Sequence, residues 1–191
     1  MGRNKALIEI GGRSFLETSV GNLHNSPVVG RVTVVTGADG AAVGARAKFF
    51  GAEVVENAQY AEGIMTSLQA GIRALPPESQ AVIVALVDVP FFQTETVTSL
   101  VHLSRLQSPS ITAMLGRAFY GNEPGHPCVI GADHFDAILQ QASSDQGAGF
   151  LFKTHPSAYR YDCMDPGVVA DFDSPSTIET HVYGRGIHQN S

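Results

Sequence analysis

The chain has 191 residues, with 18 acidic and 12 basic side chains, a net charge of −6 and two cysteines. That length suits one domain with a sizeable core, and the acidic balance leaves no broad basic surface for a nucleic-acid backbone. Cys128 and Cys163 form no Cys-x-x-Cys pair, which argues against a disulfide framework or a cysteine zinc site and suits a reducing, cytoplasmic setting.

No apolar stretch approaches the roughly 20 residues of a membrane span, and Met1 opens on Gly-Arg-Asn-Lys with no signal-peptide core behind it. Ser14-Phe15-Leu16-Glu17 then has the form of a capping box, with Leu16, Val20 and Leu23 at helical spacing. Val32 to Val35 predicts a β-branched strand ending at Gly37, and Asp39 stands where it could cap a small-residue helix reaching Phe50. Glu53-Val54-Val55 predicts a short strand. Met65, Leu68, Ile72 and Leu75 mark the inner face of the next helix, which Pro76-Pro77 terminates. The apolar run from Ala81 to Val87 reads as a central parallel strand covered on both faces. Thr94 opens a helix through Leu106, and Ser110 to Leu115 reads as the next strand. Such alternation predicts an α/β fold with a mostly parallel, Rossmann-like sheet. Residues 1–183 make one domain and residues 184–191 a polar tail.

The most informative side chain is Asp88, in Leu86-Val87-Asp88-Val89-Pro90, where the buried strand runs out of apolar residues. Ligands of open α/β sheets bind outside the carboxyl ends of the strands, and a hard oxygen there suits Mg2+ carrying a phosphorylated substrate. A strand-end carboxylate can also simply cap a turn. Asn57-x-x-Tyr60-x-x-Gly63-x-x-Thr66-Ser67 joins a strand to a helix start, a place that favours anions and polar ligand groups. Gly63 could admit close backbone approach, and Ser67 or Asn57 could hydrogen-bond a base or ribose. The competing reading is that all three are ordinary loop and capping residues.

Five motifs fall in one order: Met1-Gly2-x-x-Lys5, Gly63-Ile64-Met65-Thr66-Ser67-Leu68, Leu86-Val87-Asp88-Val89-Pro90, Gly125-His126-Pro127 and Asp171-Phe172-Asp173-Ser174-Pro175. Together they resemble the MobA/MocA-like nucleotidyltransferases of molybdenum-cofactor maturation. The resemblance implies a three-layer α/β/α fold of the nucleotide-diphospho-sugar transferase type. It also implies transfer of a nucleoside monophosphate from a nucleoside triphosphate, CTP or GTP, to a molybdopterin-type pterin, with release of pyrophosphate. By the same resemblance Asp88 and Asp173 hold Mg2+, Lys5 faces the triphosphate, Gly2, Asn57, Gly63 and Ser67 bind nucleotide, and His126 lies near the acceptor. Asp171 could replace Asp173 as ligand. A molybdoenzyme apo-protein is a further implied partner.

Two departures stand against the pattern. Gly149 occupies a position where arginine is typical, in a segment whose Asp145 reads as the cap of a helix opening at Gly147. The pattern's first, central strand and its glycine-rich Leu-Ala-Ala-Gly-x-Ser-x-Arg loop have no counterpart ahead of Met1-Gly2. That leaves open a misplaced start codon or a degenerate relative. The expected consequence is two neighbouring strands with unpaired edges. The alternative functions are a non-catalytic pterin-binding accessory protein and a nucleotidyltransferase for another phosphorylated acceptor.

Overall fold

The computed structural model describes residues 4–172. Their elements run β1 (Glu9–Ile10), β2 (Arg13–Ser14), α1 (Phe15–His24), β3 (Thr33–Thr36), α2 (Gly40–Phe49), β4 (Glu53–Glu56), α3 (Ile64–Arg73), β5 (Ala81–Val84), α4 (Thr94–Leu106), β6 (Leu115–Tyr120), β7 (Glu123–Gly131), α5 (Phe135–Leu139), α6 (Gly149–Thr154) and β8 (Tyr159–Asp162). The capping box at α1 forms as its residues predict. Ser14 Oγ accepts from the Glu17 amide at 3.2 Å, and Glu17 accepts from the Ser14 amide at 2.9 Å. Arg46 reaches the same carboxylate at 2.8 Å, joining α1 to α2.

The strands form a mixed arrangement. β3 and β4 pair in parallel, while β5, β7, β6 and β8 pair in that order, with both β7 ladders antiparallel and β6–β8 parallel. β3 thus has a ladder only with β4, and β5 only with β7, among the described residues. With β7 as its ladder partner among the described residues, β5 keeps Ala81, Val82, Ile83 and Val84 half-buried, although they are apolar enough for a fully covered strand.

Helices bind the two sheets together. Met65 and Ile72 of α3 pack in one cluster with Val82 and Val84, while a Cβ at Gly71 on the same helix would lie 3.2 Å from Val35 of β3. Leu16 and Val20 of α1 share a cluster with Val32, Val34 and Val87. From the same helix, the Asn22 amide donates to the carbonyls of Phe92 at 2.7 Å and Pro90 at 3.3 Å.

Several boundaries differ from the sequence reading. Ser110 to Met114 forms turns, closed by the Met114 amide on the Ile111 carbonyl, and the strand starts at Leu115. It leads through Gly121-Asn122 into β7, a hairpin whose antiparallel return breaks the expected parallel order. The run after Val84 turns instead of continuing, with the Val89 amide on the Leu86 carbonyl at 3.2 Å. Asp39 adopts φ 57°, ψ 27° and makes no side-chain cap bond to α2. Asp145 does not cap α6, which begins at Gly149 behind Ala148. It lies against Gly63 instead.

Candidate active site

Of the predicted residues, Lys5, Asn57, Gly63, Ser67 and Asp88 gather at the carboxyl ends of β3, β4 and β5. The Asn4 side-chain amide donates to the Ala38 carbonyl in the turn after β3 at 3.0 Å. That turn touches the loop after β4, where Tyr60 stands so close to Gly37 that a side chain there could not fit. Next to Asn4, Lys5 Nζ meets Asp88 Oδ2 at 3.2 Å, each side chain about a third exposed at 33% and 27%. The turn after β5 carries Asp88 between Val87, which packs in the cluster around Leu16 and Val20, and Val89, which is buried. Asp88 Oδ1 accepts no hydrogen bond among the described residues.

Asn57 and Ser67 come together, with the Asn57 amide donating to Ser67 Oγ at 3.0 Å and to Thr66 Oγ1 at 2.9 Å. Its carbonyl oxygen accepts from the Gln59 amide at 3.0 Å. Asn57 is 5% exposed and ties the loop to the start of α3. Gly63, at φ 113°, ψ 165°, is the N-cap of that helix, and a Cβ there would stand 2.7 Å from the Ser144 carbonyl. Its lack of a side chain is thus demanded by the fold alone.

His126 sits on β7, its ring Nδ1 3.3 Å from the Val84 carbonyl. A carbonyl only accepts, so Nδ1 carries the proton and Nε2 is left as acceptor. Burial, then the Arg117 guanidinium, pushes the imidazole down to about 4, against opposing pulls from the Val84 carbonyl and Asp88. The ring is neutral at pH 7 and lies within electrostatic reach of both Asp88 and Arg117.

A cavity of about 390 Å³ opens beside it, lined by Leu86, Val89, Arg117, His126, Val168 and Asp171 among others. A slightly larger one, about 430 Å³, lies away from Asp88 between α2 and β4, over small residues such as Gly40 and Gly44. Arg117 escaped the sequence reading because its membership of the cavity depends on the β6–β7 hairpin. The buried cysteines offer no nucleophile. Burial pushes the Cys128 thiol up to about 12 and raises that of Cys163.

The residue before Asp173 completes the arrangement: the Phe172 amide donates to the Asp88 carbonyl at 3.2 Å, and its ring is buried against Phe15 and Phe91. Asp173 and Gly2, together with Met1, Ser174 and Pro175, lie outside the described residues. Among the described residues no group of three or more His, Cys, Asp or Glu side chains is placed to hold a metal, and no helix is long and apolar enough to cross a membrane.

A family model described as the MobA-like NTP transferase domain matches residues 1–159. A nicotine blue oxidoreductase of Paenarthrobacter nicotinovorans is 30% identical over 179 residues, covering 89% of this chain and 83% of that protein. Among solved structures, the manganese complex of Rv0371C from Mycobacterium tuberculosis H37Rv is similar at a TM-score of 0.73 and 16% identity, covering 95% of this chain and 92% of that one. Molybdopterin-guanine dinucleotide biosynthesis protein A from Archaeoglobus fulgidus is similar at a TM-score of 0.61 and 14% identity, covering 97% and 92%.

Proposed function

Because the chain belongs to the MobA-like NTP transferase family, a family of nucleotidyltransferases, we propose that it transfers a nucleoside monophosphate from CTP or GTP to a molybdopterin-type pterin. One observation carries this reading: the Lys5–Asp88 pair at 3.2 Å, at the carboxyl edge where three strand-end loops meet. In the reaction an acceptor phosphate oxygen forms a bond to the α-phosphorus. The bond from that phosphorus to the bridging oxygen breaks, and its electron pair leaves with pyrophosphate. The nucleophile is already ionised at neutral pH, so no general base is required. The catalytic task is to bring anions together in a fixed geometry.

The residues fit a divalent cation. Asp88 keeps one carboxylate oxygen uncommitted, and Mg2+ is typically held by one or two carboxylates plus substrate phosphates and water. Asp88 would hold the ion and Asp173 would be the second ligand, a role supported by the bond from Phe172 to the Asp88 carbonyl. The cation would supply charge neutralisation at the phosphates. Lys5, a compact charge on a flexible stem, follows phosphate oxygens as charge moves toward the leaving group. Asn57, Gly63 and Ser67 shape the nucleotide side, Gly2 contributes backbone to it, and neutral His126 faces the acceptor. A molybdoenzyme apo-protein would be the recipient of the product.

The test is pyrophosphate release from labelled CTP, GTP or ATP with Mg2+ and molybdopterin. Asp88→Asn should lower turnover by about 10²–10³ at an unchanged melting temperature, and full activity in that variant would refute the metal assignment. The name of the Paenarthrobacter relative favours a second reading, a redox reaction. Hydride transfer from a reduced nicotinamide to an added quinonoid dye, which is reduced as the nicotinamide is oxidised, with no pyrophosphate from any nucleotide, would establish it instead.

A further inference from the structure

The cavity beside His126 contains a cation whose hydrogen-bonding capacity is mostly unspent. Arg117 projects from β6, its Nε donating to the Gly125 carbonyl at 2.9 Å and its guanidinium centre lying 5.8 Å from the Phe152 ring centroid. The two terminal amino groups make no hydrogen bond among the described residues, and no described carboxylate stands within ion-pair distance. A guanidinium presents five N–H donors in a rigid planar fork, so four remain, with one N–H of each terminal nitrogen facing the same way as a bidentate pair. Holding a half-buried cation without a counterion is costly, and a ligand anion removes that cost.

The surroundings limit what that anion can be. The cavity walls are apolar at Leu86, Val89, Val168 and Val169, and Glu123 stands exposed on the rim. A polyanion spread across the cavity would meet the Glu123 carboxylate on its rim. A single phosphate on an apolar or aromatic body would meet the Arg117 fork and those walls. His126 also marks the cavity as adjoining the reaction centre, because its ring feels the charges of Arg117 and Asp88 together.

We propose that Arg117 clamps a phosphate monoester of the acceptor in this cavity with its two terminal nitrogens while the apolar walls take the attached ring. The proposal rests on the nucleotidyltransferase reading for the word acceptor, but the anion clamp can be measured without turnover.

Calorimetric titration with phenyl phosphate, and separately with Mg-CTP and Mg-GTP, supplies the test. Arg117→Met is expected to weaken phenyl phosphate at least about tenfold, with Arg117→Lys intermediate because it keeps the charge and loses the fork. Glu123→Gln, at an exposed rim position, is expected to tighten it about two- to threefold. Nucleotide affinity should be unchanged in all three, a split that a purely structural role for Arg117 would not produce. If Arg117→Met does not fold, the Glu123→Gln and Arg117→Lys shifts decide alone. Wild-type affinity for phenyl phosphate in the arginine variants, an equal loss for nucleotides, or no saturable phenyl phosphate binding overturns the clamp. Arginine-dependent phenyl phosphate binding without any nucleotide binding would leave the clamp standing and remove the transferase reading.

Discussion

Gly63→Ala isolates what the fold itself demands of a residue that sequence motifs would assign to a ligand. At φ 113°, ψ 165° the backbone occupies a region essentially reserved for glycine, which costs another residue on the order of 1–3 kcal/mol. The added Cβ would also stand 2.7 Å from the Ser144 carbonyl oxygen and 2.9 Å from Asp145 Oδ1. The Ser144 carbonyl cannot simply retreat, because it accepts the Met65 amide at 3.0 Å at the first turn of α3. Forcing an extra carbon into such a contact costs roughly another 1–3 kcal/mol. The sum, about 4 kcal/mol, corresponds in a chain of this size to a drop of roughly 8–16 °C in Tm. Urea unfolding monitored by circular dichroism, with Tm alongside, measures it. A loss below about 1 kcal/mol at unchanged m-value would refute the account.

The site and its supports give further expectations. His126 has a folded pKa of about 4, below its ordinary 6.5, so as pH falls through that window the unfolded chain takes up the proton first. Stability is therefore complete above pH 6.5 and declines toward pH 4, by up to about 3 kcal/mol. His126→Gln should flatten urea-derived stability between pH 7 and pH 4.5, and an unchanged slope would count against the buried neutral ring. Asp165, 5% exposed, accepts from the Gln93 amide and Thr96 hydroxyl at 2.7 Å and from the Gly167 amide at 2.9 Å. It caps α4 from a distance, since that helix makes no side-chain cap bond of its own. Asp165→Ala should cost about 3 kcal/mol, read by urea titration, and a loss under 1 kcal/mol would show that the cap is dispensable.

What could be read from residues alone was local or periodic. The Ser14–Glu17 box, the α3 stripe of Met65 and Ile72, and the span of α4 each depend on neighbours a few positions away, and each formed as expected. The placement of Asp88 past an apolar run was legible for the same reason. The β6–β7 hairpin was not, because Gly121-Asn122 is a weaker turn signal than the Ser-Pro pair before it, and β-branched Ile111 and Thr112 suggested an earlier strand. Arg117 became visible only with that hairpin. Asp145 looked like a helix cap by spacing, yet it faces Gly63 across a separation of 82 positions, which no local rule can anticipate.

Lys5 belongs to the part of the chain that packs on α1 and, through it, on β3, whereas Asp88 leaves the end of β5. No ladder links those two strands among the described residues, so the Lys5–Asp88 pair straddles a seam stitched by interdigitated side chains and a few isolated bonds. Interdigitation of that kind lacks the directionality of a ladder and weakens on cooling. A ligand gripped from both banks would therefore act as a brace, stiffening the molecule along that line.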